Sequence, residues 1–153
     1  VEIIPLNDLL RERARRLWQS DPYRQAELCL DFQLPDAAIV RAAPEWLRYA
    51  FDILVDNAVK AVADCEVRRI TVGTRRANGG AEIRVSDTGR GIPEEIRARV
   101  GQEPIEKPAG ARGLGMGLLI AQTIVQAYGG ELRVDSTGPT GTTMVIWLPA
   151  KEE

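Results

Sequence analysis

The sequence contains no histidine, only two cysteines and no long hydrophobic run. Cys29 and Cys65 are too few for a disulfide framework, and their core-like neighbours favour reduced thiols. No stretch reaches the roughly 18 consecutive apolar residues that a membrane span needs. The 20 basic and 22 acidic residues nearly cancel, so no overall field attracts nucleic acid or an anionic membrane. Any polyanion must therefore be held by a local site.

The chain has 153 residues, of which 44% are apolar and 27% charged. This composition is ordinary for a globular protein, and the length suffices for a sizeable core. We therefore expect one domain covering residues 1–153. The first residue is Val1 rather than methionine, which suggests a fragment of a longer protein.

Apolar residues at helical spacing predict several helices. The first covers residues 7–19 and begins with Asn7, a good N-cap. A short helix follows Pro93, and another, near 116–128, ends at Gly129-Gly130. The strongest begins at Pro44, which suits a first helical turn, and its apolar stripe comprises Leu47, Ala50, Phe51, Leu54, Ala58, Ala61 and Val62.

Strand patterns lie between these helices. Two short strands are predicted at 27–32 and 38–41, and two longer ones at 67–76 and 81–87. The turn Asn78-Gly79-Gly80 joins the longer pair into a hairpin. Two further alternating strands, ELRVDS and TMVIWLP, end the chain. Hairpins mixed with helices indicate an α/β sandwich with a largely antiparallel sheet.

The segment RGLGMGLLIA, residues 112–121, carries Gly113, Gly115 and Gly117 directly before a predicted helix. It matches neither a dinucleotide-binding turn, which needs G-x-G-x-x-G after a strand, nor a Walker A loop. Bare backbone nevertheless allows a phosphate to approach the free N–H groups of a helix N-terminus. A flexible turn explains these glycines equally well.

The segment VSDTGRGIPEE, residues 85–95, places Asp87 at the end of a predicted strand. A carboxylate only accepts hydrogen bonds, so Asp87 could take the exocyclic amine proton of an adenine. Gly89 and Gly91 would let the ring pass close to the backbone. An Asp-Thr-Gly turn that merely ends the strand is the alternative.

The segment VDNAVKAV, residues 55–62, places Asn57 at the edge of the apolar stripe and Lys60 one turn further on. An inward-facing amide is costly without a partner. Mg²⁺, which prefers oxygen ligands, would supply one through the amide oxygen. The alternatives are an asparagine bonded to nearby backbone and a solvated lysine.

Together, in this order and spacing, the three segments resemble the N, G1 and G2 boxes of the ATP-binding domain of sensor histidine kinases. That domain belongs to the superfamily shared with type II topoisomerases, mismatch-repair ATPases and the large heat-shock chaperones. The resemblance covers almost the whole chain. The matching residues are Asn57-Ala58 with Lys60, Asp87 to Ile92, Gly113 to Leu118, Tyr128-Gly129-Gly130, Gly141-Thr142-Thr143 and Leu148-Pro149.

The resemblance implies a two-layer α/β sandwich with a mixed, largely antiparallel sheet, known as the Bergerat ATP-binding fold. It implies that Asn57 holds Mg²⁺ and that Lys60 contacts the phosphates, as the catalytic residues. It also implies that Asp87 binds the adenine amine, helped through water by Thr143. The glycines would shape the pocket: Gly89 and Gly91 around the adenine, and Gly113, Gly115 and Gly117 at the phosphate lid.

Two features depart from the family pattern. Residues 97–112 contain no phenylalanine, so the F box is missing and the lid is short. Lys107 and Arg112 could still screen phosphate charge there, or be solvated. At position 53, the hydrolysing relatives carry a glutamate that activates water, whereas this chain has Ile53, which cannot accept a proton. Efficient ATP hydrolysis is therefore not expected.

The resemblance implies a protein histidine kinase domain that positions Mg-ATP for phosphoryl transfer. Because the chain has no histidine, the acceptor would lie on a separate dimerisation domain of the same full-length protein. A response regulator receiver domain would then take the phosphate. No contact with nucleic acid, and none between this domain and a membrane, is expected. We expect a cytoplasmic domain, and whether the parent protein is membrane-anchored stays open.

Two other functions remain open from the sequence. One is a serine kinase of the anti-sigma-factor type, from the same superfamily, although the first segment looks like the usual entry from a dimerisation helix. The other is a degenerate domain that no longer binds nucleotide and serves as an interaction module. The missing phenylalanine favours that module, and the intact Asn57, Asp87 and glycines disfavour it.

Overall fold

A computed structural model describes residues 1–103 and 116–152. The helices are α1 (Leu6–Leu17), α2 (Pro44–Val62), α3 (Glu94–Arg97) and α4 (Met116–Gln126), with a 3-10 turn at Tyr23–Gln25. The strands are β1 (Glu2–Pro5), β2 (Glu27–Phe32), β3 (Ala38–Ala42), β4 (Arg69–Ala77), β5 (Gly80–Asp87), β6 (Glu131–Gly138), β7 (Gly141–Pro149) and β8 (Lys151–Glu152). None of the helices in these ranges has the length and apolar character that crossing a membrane requires.

The main sheet has five strands in the order β2-β4-β5-β7-β6. β2 and β4 run parallel, and the other neighbours are antiparallel, which confirms the expected mixed, largely antiparallel sheet. The hairpin turn is also confirmed: Asn78 and Gly79 have φ angles of 50° and 74°, the left-handed values of a tight two-residue turn. A second, three-stranded sheet, β1-β3-β8, was not predicted, because its outer strands are too short to show a periodicity.

The two faces of the main sheet differ in polarity. Side chains alternate between faces along each strand, and the face beneath the helices is apolar. It packs against α2 and α4 to form the core. The fully or almost fully buried side chains of this face include Ile70, Val72, Ile83, Val85, Leu132, Ile146 and Leu148.

The other face of the sheet carries a network of ion pairs. Glu82, only 1% exposed, accepts hydrogen bonds from Arg75 at 2.6 Å, Arg84 at 2.9 Å and Arg133 at 2.7 Å. Asp135 lies 3.0 Å from Arg84 and 2.8 Å from Arg133. Such a buried carboxylate is tolerated because several charged donors surround it.

Asn7 does not cap α1 as predicted. The N-cap is Pro5, and Asn7 lies inside the helix, 1% exposed. Its Nδ2 donates to the Leu34 carbonyl at 2.8 Å, and its Oδ1 accepts from the Thr74 hydroxyl at 2.8 Å. The amide is therefore saturated by neighbouring segments rather than by the helix N-terminus, and it fastens α1 to β4.

Contacts from the N-terminal region hold α2 on one side. Arg13 of α1 makes a two-pronged contact with Asp52, with distances of 2.6 and 2.8 Å. The Tyr23 hydroxyl donates to Asp56 at 2.5 Å. Both acidic side chains precede Asn57 on α2, so these contacts fix the helix that carries the predicted N box.

Candidate functional site

Asp87 is the last residue of β5 and lies half-buried opposite Thr142 of β7. Burial raises the pKa of Asp87, while backbone N–H groups of Gly89 and Thr142 act in the opposite direction. The Gly89 N–H donates to Oδ1 at 2.8 Å. The carboxylate is thus oriented by the backbone, and among the described residues no cation contributes to the shift of its pKa.

Gly89 lets the loop after Asp87 pass directly over α2. A Cβ at this position would lie 2.8 Å from the Ala61 carbonyl oxygen and 2.9 Å from Asp87 Oδ1, closer than real Cβ atoms approach. The glycine is therefore required by close packing rather than by flexibility. It brings the predicted G1 box against α2 one turn after Asn57.

Gly91 and Ile92 attach the same loop to the end of the β6–β7 hairpin. Gly91 has a φ angle of 88°, and a Cβ there would overlap the carbonyl oxygen of Gly138. The next residue, Ile92, donates its N–H to Thr137 Oγ1 at 2.8 Å. The loop is therefore held on one side by α2 and on the other by β6.

The structure does not bring Thr143 to Asp87. In the β5–β7 ladder, Asp87 pairs with Thr142, while Thr143 pairs with Ser86. Directly paired residues share a face and successive residues alternate, so Thr143 lies on the opposite face from Asp87. Its hydroxyl is 2.8 Å from that of Ser86. Thr142, 7% exposed, is the threonine next to Asp87.

Asn57 holds an unsatisfied oxygen. Its Nδ2 donates to the Ile53 carbonyl at 2.8 Å, and this contact fixes which end of the amide is nitrogen. Its Oδ1 is buried, with no hydrogen-bond partner among the described residues. Such an orphaned acceptor is costly and calls for an explanation. An amide oxygen of this kind fits Mg²⁺, which takes one or two protein oxygens and completes its shell with water and phosphate.

Lys60 and Gly117 border Asn57. Ile53, Asn57 and Lys60 follow one another at spacings of four and three, so they share a face of α2, and Lys60 is exposed. A Cβ on Gly117 of α4 would lie 3.3 Å from Ile53 Cγ2. The predicted G2 box therefore meets α2 one turn before Asn57.

Asn57 thus lies midway between the two glycine-containing segments. Ala61, which Gly89 touches, and Ile53, which Gly117 touches, are each one helical turn away. Gly113 and Gly115, like Lys107 and Arg112, lie outside the described residues. No group of three or more cysteine, aspartate or glutamate side chains that could hold a metal is found within the described ranges.

Sequence reasoning missed Thr137 and Thr142. Their hydroxyls lie 2.8 Å apart at the end of the β6–β7 hairpin, beside Asp87 and its loop. The spacing Gly141-Thr142-Thr143 offered two adjacent threonines, and only the register selects between them. Nothing local marks Thr137, because its position depends on an irregularity in β6.

The fold is of the class found in sensor histidine kinases. The structure superposes on the mycobacterial sensor histidine kinase MprB with a TM-score of 0.80 and 27% identity, covering 99% of this chain and 100% of that one. It also superposes on full-length ShkA, solved in complex with AMPPNP, with a TM-score of 0.78 and 23% identity, covering 100% of this chain and 32% of that one.

The chain belongs to the family described as histidine kinase-, DNA gyrase B- and HSP90-like ATPases, whose model matches residues 42–152. In sequence it is 32% identical over 149 residues to the signal transduction histidine-protein kinase ArlS of Staphylococcus aureus. That match covers 95% of this chain and 32% of ArlS. The chain spans between 19% and 35% of the length of the first curated relatives it matches.

Proposed function

We propose that this chain binds Mg²⁺-ATP as the catalytic domain of a two-component sensor histidine kinase. The observation that carries the proposal is the buried, unpartnered Oδ1 of Asn57, placed midway between the Gly89 and Gly117 contacts on α2. Membership in an ATPase family and similarity to proteins named histidine kinases support it. The complex of ShkA with AMPPNP, an adenine nucleotide, supports the choice of ligand.

In this proposal Asp87 accepts a hydrogen bond from the adenine amine. One carboxylate oxygen already accepts from Gly89, which leaves acceptor capacity for the base. Thr142 replaces Thr143 as the neighbouring hydroxyl, because it faces the same side of the sheet as Asp87. Gly89 and Gly91 keep the loop close to α2 and β6, so that the edge of the ring can reach Asp87.

The phosphate end of the nucleotide lies toward Asn57, Lys60 and the start of α4. Asn57 Oδ1 would bind Mg²⁺, which neutralises charge on the phosphate oxygens when bound. Lys60 contributes positive charge from the exposed end of the same helix face. Gly117, at the start of α4, leaves backbone accessible to phosphate, and we assign Gly113 and Gly115 the same role.

The chain is suited to transfer rather than to hydrolysis. Ile53, 8% exposed on the face that carries Asn57, has no group that could accept a proton from water. Without histidine, the chain carries no acceptor of its own. The γ-phosphoryl therefore goes to a histidine on a separate dimerisation domain of the full-length protein, and from there to a response regulator receiver domain.

Calorimetric titration with AMPPNP, with and without Mg²⁺, tests the nucleotide site. Asp87→Asn should abolish binding, since an asparagine whose oxygen accepts from Gly89 turns its NH₂ toward the adenine amine. Asn57→Ala should bind weakly and lose the effect of Mg²⁺. Asp31→Asn makes the same chemical change on the far edge strand β2 and should bind like the parent. Absence of binding by the parent contradicts the proposal and favours an interaction module.

Phosphotransfer is tested separately with γ-labelled ATP. The purified chain should stay unlabelled, and label should appear on the full-length protein at a histidine outside this chain. Acid-stable label on a serine of a protein substrate would instead support a serine kinase of the anti-sigma-factor type. Label on the chain itself would contradict the assignment of the acceptor to another domain.

A further inference from the structure

Thr137 lies on the same face of the sheet as Asp87 because of a β-bulge. Leu132 and Val134 of β6 pair with Ile146 and Met144 on the face beneath the helices. Regular alternation would place Thr137 on the other face. The register shifts between Val134 and Ser136, and this extra residue returns Thr137 to the inner face, directly opposite Thr142. Bulges commonly redirect a side chain in this way.

Thr137 makes one hydrogen bond of fixed direction, from the backbone of Ile92. The backbone N–H of Ile92 can only donate, so Thr137 Oγ1 accepts it at 2.8 Å. A hydroxyl has one proton and two lone pairs. The two hydroxyls lie 2.8 Å apart, and either of them can be the donor. When Thr137 donates to Thr142 Oγ1, the proton of Thr142 is available for another acceptor, and this is the direction that an acceptor beside Thr142 would select.

Adenine presents two complementary groups on the edge that Asp87 would bind. The exocyclic amine is a donor, and the adjacent ring nitrogen N1 is an acceptor. A carboxylate satisfies the amine, and a hydroxyl donor beside it satisfies N1. Thr142 lies directly opposite Asp87, which places its hydroxyl on the correct side. Guanine carries an acceptor and a donor at these positions, the reverse pattern.

We propose that Thr137 is a specificity-determining positioning residue. It accepts from Ile92, donates to Thr142 and so aims the Thr142 proton at N1 of adenine. Because the same Ile92 follows Gly91 in the loop after Asp87, the loop that flanks the carboxylate also orients the second recognition group. This inference rests on the proposed binding of ATP and adds a residue that does not itself touch the base.

The test compares the dissociation constants of ATP and 1-deaza-ATP, in which a C–H replaces N1, in the presence of Mg²⁺. The parent should bind ATP about tenfold more tightly, the difference expected for one hydrogen bond to a desolvated acceptor. Thr137→Val should reduce this ratio to within about twofold of one, because ATP loses the hydrogen bond to N1 and 1-deaza-ATP has none to lose. Loosening of the loop at Ile92 would weaken both nucleotides alike and cancels in the ratio. Thr137→Ser keeps the hydroxyl and should restore the ratio.

Thr143→Val is the matched control. It removes a hydroxyl from the next position of the same strand, on the opposite face, and should leave the ratio unchanged. A residue that only holds the loop in place would weaken both nucleotides equally when replaced. An unchanged ratio in Thr137→Val therefore overturns the inference, as does a parent that binds both nucleotides equally well.

Two further outcomes are distinguished. A parent that binds neither nucleotide contradicts the proposed function itself rather than the role of Thr137. If circular dichroism shows that Thr137→Val is unfolded, Thr137→Cys replaces it in the test. A thiol is similar in size to the hydroxyl group and is a weaker hydrogen-bond donor and acceptor. For Thr137→Cys, the ratio of the two dissociation constants should be smaller than in the parent but still greater than one. A ratio equal to that of the parent overturns the inference.

Discussion

Gln122 of α4 makes two hydrogen bonds to Leu132 of β6, both 2.8 Å long. Its Nε2 donates to the Leu132 carbonyl, and its Oε1 accepts from the Leu132 N–H. β6 is an edge strand of the main sheet, so no further strand within residues 1–103 and 116–152 pairs with these groups. The side chain, 3% exposed, takes the place of that strand. It thereby fixes α4, and with it Gly117, to the sheet.

Replacing Gln122 should cost substantial stability. Gln122→Leu leaves a buried N–H and a buried carbonyl without partners, so the free energy of unfolding should fall by about 2–4 kcal/mol. Gln122→Glu can still accept from the N–H but cannot donate to the carbonyl, and should lose an intermediate amount. Urea denaturation measures both. Gln126→Leu, on the exposed side of the same helix, is the control, and equal losses at the two positions would contradict this assignment.

Glu82 should make the protein sensitive to acid. Its burial raises the pKa, but hydrogen bonds from Arg75 and Arg84 and the nearby charges outweigh this, so that the pKa lies below the usual 4.5. A pKa lowered by folding stabilises the protein above 4.5, and this stabilisation is lost as the pH falls through the lowered value. The free energy of unfolding should therefore decline below pH 4.5.

Glu82→Gln tests this dependence. The variant should lose about 2–4 kcal/mol at neutral pH, because Arg75, Arg84 and Arg133 lose the carboxylate that they share, although Asp135 still pairs with Arg84 and Arg133. Its free energy of unfolding should also fall less steeply than that of the parent as the pH drops below 4.5. Chemical denaturation at a series of pH values gives both quantities. Glu131→Gln, an exposed change on β6, is the control. Its free energy of unfolding should decline with falling pH as steeply as that of the parent. If the free energies of unfolding of the parent and of Glu82→Gln fall equally steeply with decreasing pH, Glu82 does not cause the sensitivity to acid.

Much of the fold follows from local patterns. β2 has the predicted bounds, 27–32. α2 begins at the predicted Pro44 and buries the predicted stripe except for Ala61, which is partly exposed. The turn at Asn78-Gly79 sets the β4–β5 register, since this dipeptide readily takes positive φ angles. These features depend on residues close together in the chain, and a single sequence records them directly.

The rest depends on register and on distant partners. A shift of one residue moves a side chain to the other face of a sheet, which is why the sequence alone points to Thr143 whereas the structure places Thr142 beside Asp87. The bulge before Ser136 has no local signal. The sequence predicts a cap at Asn7 because its actual partners, Leu34 and Thr74, are remote in sequence. The proposed roles of Asn57, Lys60 and Asp87 stay predictions that the binding experiments address.

Asn57 and Asn7 should respond differently to replacement by alanine. Asn7 is saturated by neighbouring segments, so Asn7→Ala should lower the free energy of unfolding by about 1–3 kcal/mol. Asn57 carries an unpartnered buried oxygen inside a helix, and alanine is the better helix former. Asn57→Ala should therefore leave the stability unchanged or raise it by up to about 1 kcal/mol. Thermal denaturation without nucleotide measures both, and a comparable loss at Asn57 would indicate a structural role instead.

The ionised carboxylate of Asp87 should lower the free energy of unfolding at neutral pH. Burial raises its pKa above the usual 3.8, against the effect of the Gly89 and Thr142 N–H groups. For a carboxyl group whose pKa is raised by folding, the ionised form costs stability at neutral pH. That cost is relieved as the pH falls through the raised value. Asp87→Asn should thus be at least as stable as the parent at pH 7, while Asp31→Asn, at an exposed site, should not change stability.

Protonation of Asp87 should weaken nucleotide binding, although it removes the cost that the ionised carboxylate imposes on stability. The ionised carboxylate accepts from both Gly89 and the adenine amine, and protonation turns one of its oxygens into a donor. The affinity for AMPPNP should therefore decrease as the pH falls, starting above pH 3.8 because the pKa of Asp87 is raised. Calorimetry over this range gives the pH at which half of the affinity is lost. The carboxyl chemical shift of Asp87, measured in parallel, gives the pH at which the side chain is half protonated, and the two values should agree. Affinity that stays constant while Asp87 becomes protonated would show that the carboxylate does not bind the base.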